Sequence, residues 1–461
     1  DRDLYHLEMD SEEESIEEVE IFLAKQVPAK TASKPGDAVK SSWAFSQDNP
    51  ERPLWVEAKD KEESRLLAYE TWRKLTPEEE LQWRRHELKA TPTALILNRK
   101  RCGRYKARLV VLGNRWQPEG DNNCYASVVS QVGNRATLVQ AARKGFHVIP
   151  FDIGNAFIRA SMGSLRVVVT IPENMRDAES NDSGRRMLLK ALYGLPISPR
   201  LWAKCLGADL TKLGWSECVY EPGVWSKKEG NEIVGYLTVY VDDCILACKD
   251  KKTTEHELQR INETHPLTVI DTKIETDGTI SFDMTGSDIK FNSRTKTMSI
   301  SMEKYIKKML TKFNMDGCKP RSTPAFEEKS LYTPSKECSF PLKAAVGALQ
   351  WATTCARPDL AHAVNTLARA GSQKATKSIE RCARNIFRYC SGTVDYCIGY
   401  SPEAEKEFYD EFTKVGTESV ENKNMQEHVK QLDEPVHVFT DASFGTEYKT
   451  MKSISGTVIY L

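Results

Sequence analysis

The apolar positions change period along the chain, and each change predicts an element. His147-Val148-Ile149-Pro150-Phe151-Asp152-Ile153 reads as a strand pattern with an acid near its end. Ile233–Val241, rich in β-branched and aromatic residues, runs into Asp242-Asp243 and then the apolar Cys244–Cys248. That pattern predicts a hairpin with two carboxylates at its tip. Leu109–Leu112 predicts a further apolar strand, entered from a turn at Cys102-Gly103. Trp202, Leu206, Leu210 and Leu213 recur at helical spacing, with Ser198 as the expected N-cap and Pro199 in the first turn. Pro358 and Asp359 are expected to open another helix through Arg369. Strand and helix patterns are both present, as they would be in any domain that mixes the two.

At 461 residues the chain exceeds the roughly 250–300 that one core serves, so two or more domains are expected. No apolar run approaches the ~18 residues of a membrane span, and the acidic first residues do not resemble a signal peptide. Twelve cysteines show neither a CxxC pair nor zinc spacing, which suits reduced thiols in cytosol or nucleus. The sequence opens without Met and is expected to be a fragment of something longer.

Sixty-five basic residues balance 65 acidic ones, and the balance hides an asymmetry. Residues 1–20 hold ten acids and one base, Arg2; with the Lys-, Pro- and Ser-rich segment after them they predict a disordered tail and linker over 1–52. Residues 84–115 hold ten bases and one acid, Glu87. Lys100, Arg101, Arg104, Lys106 and Arg108 surround the Cys102-Gly103 turn; a solvated hairpin and a phosphate-facing one both fit. The eight histidines, His362 among them, read as packed or capped rather than catalytic.

Adjacent acids in so apolar a frame are expensive unless they bind something. A plain hairpin turn would favour Asn-Gly or Asp-Gly over Asp-Asp. Carboxylates from two strands suit Mg²⁺, which takes hard oxygen ligands and leaves positions for phosphate oxygens. Two such ions stabilise the attacking and leaving oxygens of a phosphoryl displacement, so Asp152, Asp242 and Asp243 point to nucleotidyl transfer.

The chain resembles the reverse transcriptase of Ty1/copia-type LTR retrotransposons over roughly residues 53–461. Lys106-Ala107-Arg108-Leu109-Val110 is similar to that family's fingers motif, and Asp152 through Phe157 to its first catalytic motif. Leu192-Tyr193-Gly194-Leu195, with Pro199-Arg200 and Trp202, resembles LYGL…PR.W. Tyr240-Val241-Asp242-Asp243 is similar to YVDD. Val346-Gly347-Ala348-Leu349, Ala356 through Asn365, and Phe387-Arg388-Tyr389 with Gly392-Thr393 resemble the later blocks in the same order.

The resemblance implies an α+β fold, a right-hand polymerase with fingers and palm over 53–249 and thumb and connection over 250–400. A linker over 401–434 and the start of a ribonuclease H-like α/β module over 435–461 would follow. Asp152 and Asp242 would hold two Mg²⁺ (Mn²⁺ as a substitute), with Asp243 more peripheral. Lys106 and Arg108 would hold the triphosphate, Tyr240 would lie in the nucleotide site, and Phe157 would exclude a 2′-hydroxyl. Asp441 would be the first metal ligand of the ribonuclease H remnant, a module expected to be incomplete and inactive. The implied partners are RNA template, DNA primer, RNA–DNA hybrid, dNTPs and the rest of the Pol polyprotein, with no membrane. The implied compartment is a cytoplasmic virus-like particle or the nucleus.

Two departures stand out. Ile197 occupies the place of the family's usual Gln in Gly194-Leu195-Pro196-Ile197-Ser198-Pro199-Arg200-Leu201-Trp202, and Phe282–Asp288 replaces the usual FLG, as drift or a small insertion. A decayed, nucleic-acid-binding relic is therefore the alternative to an active enzyme. Phe157 and the later blocks disfavour a third reading, an RNA polymerase or nucleotide cyclase with a similar palm.

Overall fold

The computed structural model describes residues 38–100, 103–118, 123–176, 182–371, 374–408 and 410, and the strands 437–443 and 454–460. The chain forms two compact units that are not consecutive in sequence. Of the described residues, one takes in those up to Ser127 together with Asn155–Lys212; the other takes in Val128–Gly154 and those from Leu213 on.

The first unit is built on a six-stranded sheet ordered Ala38–Val39, Ala90–Arg99, Val168–Thr170, Arg185–Leu188 and Trp72–Lys74. Tyr105–Val111 pairs with Ala90–Arg99 off that path, setting Leu95 opposite Leu109 and Leu97 opposite Ala107. This strand starts earlier than the apolar run at Leu109 predicts. Buried Ala107 and Leu109 alternate with half-buried Lys106 and Arg108, so polar residues on one face conceal its first half. The helix Arg52–Ala68 lays Trp55, Ala58, Glu62 and Leu66 into the core at spacings of three and four, with Pro53 in its first turn. The linker expected to reach residue 52 therefore ends sooner. Ala38–Val39 pairs with Leu97 and Asn98, Ala44 is buried, and the Asn49 amide donates to the Trp43 carbonyl at 3.1 Å. The acidic run at 1–20 lies outside the described residues.

Two glycines fix how the Leu192–Leu195 turn meets the Tyr105–Val111 strand. Gly194 has φ +82°, and a Cβ there would fall 2.1 Å from the Val111 carbonyl oxygen. A Cβ on Gly113 would fall 2.2 Å from the Gly194 oxygen. Bare backbone at both positions lets the Val111 N–H donate to Tyr193 at 2.7 Å. Ser198 is not the cap its type suggests. The helix already includes it (Ser198–Lys212), and its hydroxyl donates to the Leu192 carbonyl at 2.6 Å, tying the same turn down. Trp202, Leu206 and Leu210 are buried as predicted, and the helix stops before Leu213.

The second unit holds a six-stranded sheet ordered Leu267–Val269, His147–Ile153, Asp243–Cys248, Glu232–Tyr240, Val224–Glu229 and Ser216–Glu217. A five-stranded sheet follows, from Lys273–Ile274 through Ile280–Met284, Ser287–Asn292 and Thr297–Ser301 to Cys397–Tyr400. Phe291, Met298 and Ile300 share a core with the helices Glu303–Lys312, Leu342–Cys355, Ala361–Ala368 and Lys377–Gly392. The Phe282–Asp288 departure is an ordinary hairpin: Thr285 and Gly286, φ +50° and +82°, form the two-residue turn that twisted strands prefer. Pro358–Leu360 is a separate 3₁₀ turn, and the helix behind it is Ala361–Ala368. Asp359 there binds the buried Arg357 guanidinium at 2.8 Å rather than serving the helix start alone. His362, expected to be packed or capped, is exposed on that helix and so is not packed. His437–Ser443 and Ile454–Tyr460 form an antiparallel hairpin with Asp441 opposite Gly456. The fold is thus mixed α+β. Among the described residues, no helix is long and apolar enough to cross a membrane.

Candidate active site

The acids come together through strand register. His147–Ile153 lies against Asp243–Cys248 so that Asp152 is directly opposite Asp243. The Ile153 N–H donates to the Asp242 carbonyl at 2.9 Å, which makes 152/243 the neighbouring pair without exchanged hydrogen bonds. Side chains at such a pair share a face and come closer than at the bonded pairs, with Cβ atoms about 4.5–5.5 Å apart. Tyr240 pairs with Asp243, leaving Val241 and Asp242 as a two-residue turn. Val241 holds φ +62°, where a β-branched side chain is strained. Strain at such a turn is kept only where the surroundings demand it, and it concentrates at functional sites.

Burial first, then the charges of Asp242, Asp152 and Asp283, push the Asp243 carboxyl up to about 6. A carboxylate raised by burial and by like-charged neighbours is stabilised by a cation. The donor chemistry therefore fits a hard divalent ion. Among the described residues no group of three or more His, Cys, Asp or Glu could hold a metal ion. The backbone brings Asp152 and Asp243 face to face and sets Asp242 in the turn beside them. The register also puts Asp243, rather than Asp242, directly across from Asp152.

The basic and aromatic candidates belong to the first unit. Lys106 and Arg108, two residues apart, share one face of Tyr105–Val111. Burial, followed by the charges of Arg108, Lys100, Arg65 and Arg104, lowers the Lys106 ammonium to about 8. The Arg108 guanidinium carbon lies 4.3 Å from the centre of the Tyr193 ring, and its buried Nε has no hydrogen-bond partner. Phe157 meets the same Tyr193 ring edge-on, with centroids 4.8 Å apart. It sits in the one-turn helix Ala156–Arg159, entered through Asn155 at φ +63°. Ile197, in the place of the usual Gln, is buried in this unit's core at 4% exposure.

Residues 84–327, just over half of the chain, match the model of the reverse transcriptase (RNA-dependent DNA polymerase) family. The chain belongs to that family. This reverse transcriptase chain is 29% identical over 316 residues to the Retrovirus-related Pol polyprotein from transposon TNT 1-94 of Nicotiana tabacum, covering 64% of the chain. It is 24% and 26% identical over 363 residues, 78% of the chain, to those from transposons RE2 and RE1 of Arabidopsis thaliana. In each case the match spans 22% of the relative's length. A telomerase structure from Candida albicans also aligns, over 85% of this chain and 74% of its own, at 12% identity and a TM-score of 0.33, too low to bear on the fold. The Ty1/copia resemblance is borne out by these relatives.

The candidates Lys106, Arg108, Asp152, Phe157, Tyr240, Asp242 and Asp243 fall inside the matched reverse transcriptase segment, and Asp441 falls outside it. Residues that the motifs alone do not single out are Glu62, Arg65 and Asn155. One signal was present: Glu62 and Arg65 interrupt the apolar stripe of Trp55, Ala58 and Leu66, and a buried acid seldom lacks a partner.

Proposed function

We propose that this chain is the polymerase segment of a copia-type Pol polyprotein, an RNA-directed DNA polymerase that extends a primer 3′-hydroxyl. The observation that carries the reading is the register setting Asp152 against Asp243 beside the strained Val241-Asp242 turn. In this reading fingers and palm run over residues 53–249, with thumb and connection over 250–400. Asp152 and Asp242 would hold two Mg²⁺ ions, or Mn²⁺, with Asp243 as the peripheral acid. Such ions, when bound, stabilise charge on the attacking and leaving oxygens. Lys106 supplies a point charge and Arg108 a fork to the triphosphate of the incoming dNTP. Phe157 closes the space a 2′-hydroxyl would need, and Tyr240 borders the nucleotide. RNA template, DNA primer, their hybrid and the remaining Pol polyprotein are the partners, in a virus-like particle or the nucleus. Asp441 would belong to a ribonuclease H-like module.

Primer extension on an RNA template with dNTPs and Mg²⁺ tests the reading; extension is expected with dNTPs and not with rNTPs. The second reading, a relic that binds nucleic acid without turnover, is favoured by Ile197. It predicts that the chain retains the primer–template in a gel shift and yields no extended product.

A further inference from the structure

Glu62 and Arg65 stand one turn apart on the helix Arg52–Ala68, within the first unit. Glu62 is 3% exposed. One of its carboxylate oxygens accepts the Leu109 N–H at 3.0 Å, and the other accepts a hydrogen bond from Arg65 Nη2. Leu109 follows Arg108 in the strand that carries both candidate triphosphate cations. The other arm of the same guanidinium, Arg65 Nη1, donates to Asn155 Oδ1 at 2.8 Å. Asn155 is the left-handed residue two positions before Phe157.

The contacts close into a ring. From the strand they pass through Glu62 and Arg65 to Asn155, and along the backbone to Phe157. From there the Phe157–Tyr193 ring pair and the Arg108 guanidinium over Tyr193 lead back to the strand. An exposed pair three residues apart would add little. This pair is buried on its acid side, forked on its basic side, and spent on a strand amide and a loop amide. Burial, with Arg108 acting in the same sense and Tyr193 opposing, lowers the Arg65 pKa, so the charge is held there against its own desolvation.

We infer that Arg65 is a positioning residue for sugar selection: its fork ties the Asn155 turn, and so the Phe157 ring, to the strand bearing Lys106 and Arg108. Phosphate grip and sugar gate then keep a fixed spacing. The inference rests on the proposed reading of Phe157 as the gate, and Arg65 acts through Asn155 rather than on the nucleotide.

The test is single-nucleotide extension by the full chain, comparing kcat/KM for a dNTP and the matching rNTP in the parent, Arg65→Lys, Asn155→Gly and the double variant. Lysine keeps the charge and loses the fork. Glycine accepts φ +63° and removes only the amide, so this variant decides the matter if Arg65→Lys fails to fold. The deoxy-over-ribo preference is expected to fall about tenfold in each single variant, and no further in the double, because both cut the same link. A purely structural role would scale both substrates by one factor. An unchanged ratio in Asn155→Gly, with the parent active on dNTPs, overturns the inference alone. A parent inactive on dNTPs overturns the reading beneath it and the inference together.

Discussion

Burial, and after it the crowding of Arg108, Lys100, Arg65 and Arg104, brings the Lys106 ammonium down to about 8, inside the range of an ordinary assay. Below that pH Lys106 is charged and can hold a phosphate; above it the charge is lost. The apparent KM for dNTP is expected to rise as pH passes upward through about 8, and Lys106→Arg, whose guanidinium stays charged, should flatten that rise. A KM independent of pH from 7 to 9.5 would remove Lys106 from the nucleotide site. Arg108→Ala should raise the same KM by about tenfold, about 1.4 kcal/mol of lost charged contact. Phe157→Val should narrow the preference for dNTP over rNTP by tenfold or more, roughly the worth of a filled apolar pocket. At this scale the sequence reveals residue types better than partners. Lys106, Arg108 and Phe157 stand out in their motifs. Arg65 meets Asn155 only because the chain returns 90 residues later, and no local pattern announces that.

Among the elements, the hairpin of Glu232–Tyr240 and Asp243–Cys248 was legible because its apolar flanks and its acids break period together. Its turn was less so, since Val241 is a poor choice for φ +62° on local grounds. Val241→Gly should relieve that strain and raise stability to guanidinium by about 1 kcal/mol, while slackening Asp242 and slowing extension. A variant that is both more stable and fully active would mean the strain serves no function. The Leu192–Leu195 turn makes the opposite case. Gly194→Ala places a Cβ 2.1 Å from the Val111 oxygen at a positive φ, so it should cost more than about 2 kcal/mol in the same titration. Ile197 shows how a motif position can mislead. The resemblance invites restoring glutamine, but the site is buried at 4% exposure, and an amide there would have to find new partners. Ile197→Gln is accordingly expected to lose about 1–3 kcal/mol without gaining activity. The first half of the strand Tyr105–Val111 and the packed segment 38–52 escaped a reading by apolar runs. Their polar residues face outward from the sheet or bind backbone, which leaves no uninterrupted hydrophobic stretch to see.

For the molecule as a whole, more than one compact unit followed from length, and an α+β class from the family resemblance. The division did not, because each unit is assembled from separated stretches and 128–154 joins the later half of the chain. That stretch carries Asp152, and its strand finds its partner about 90 residues on, a pairing that register sets and spacing alone does not. The asymmetry of charge is a property of this scale too. With ten bases between 84 and 115, nucleic-acid binding should weaken steeply as salt rises, and Lys100→Gln with Arg104→Gln should flatten the slope by about one unit per lost phosphate contact. Arg101, in the same basic stretch of sequence, lies outside the described residues. The central claim concerns the acids, and it is tested most directly by single-turnover primer extension on an RNA template with saturating dNTP and Mg²⁺, comparing Asp152→Asn and Asp242→Asn with the parent. The account predicts a loss of about 1000-fold or more in rate, about 4 kcal/mol, with primer–template affinity unchanged within a few-fold. Extension at the parental rate by either variant would contradict it.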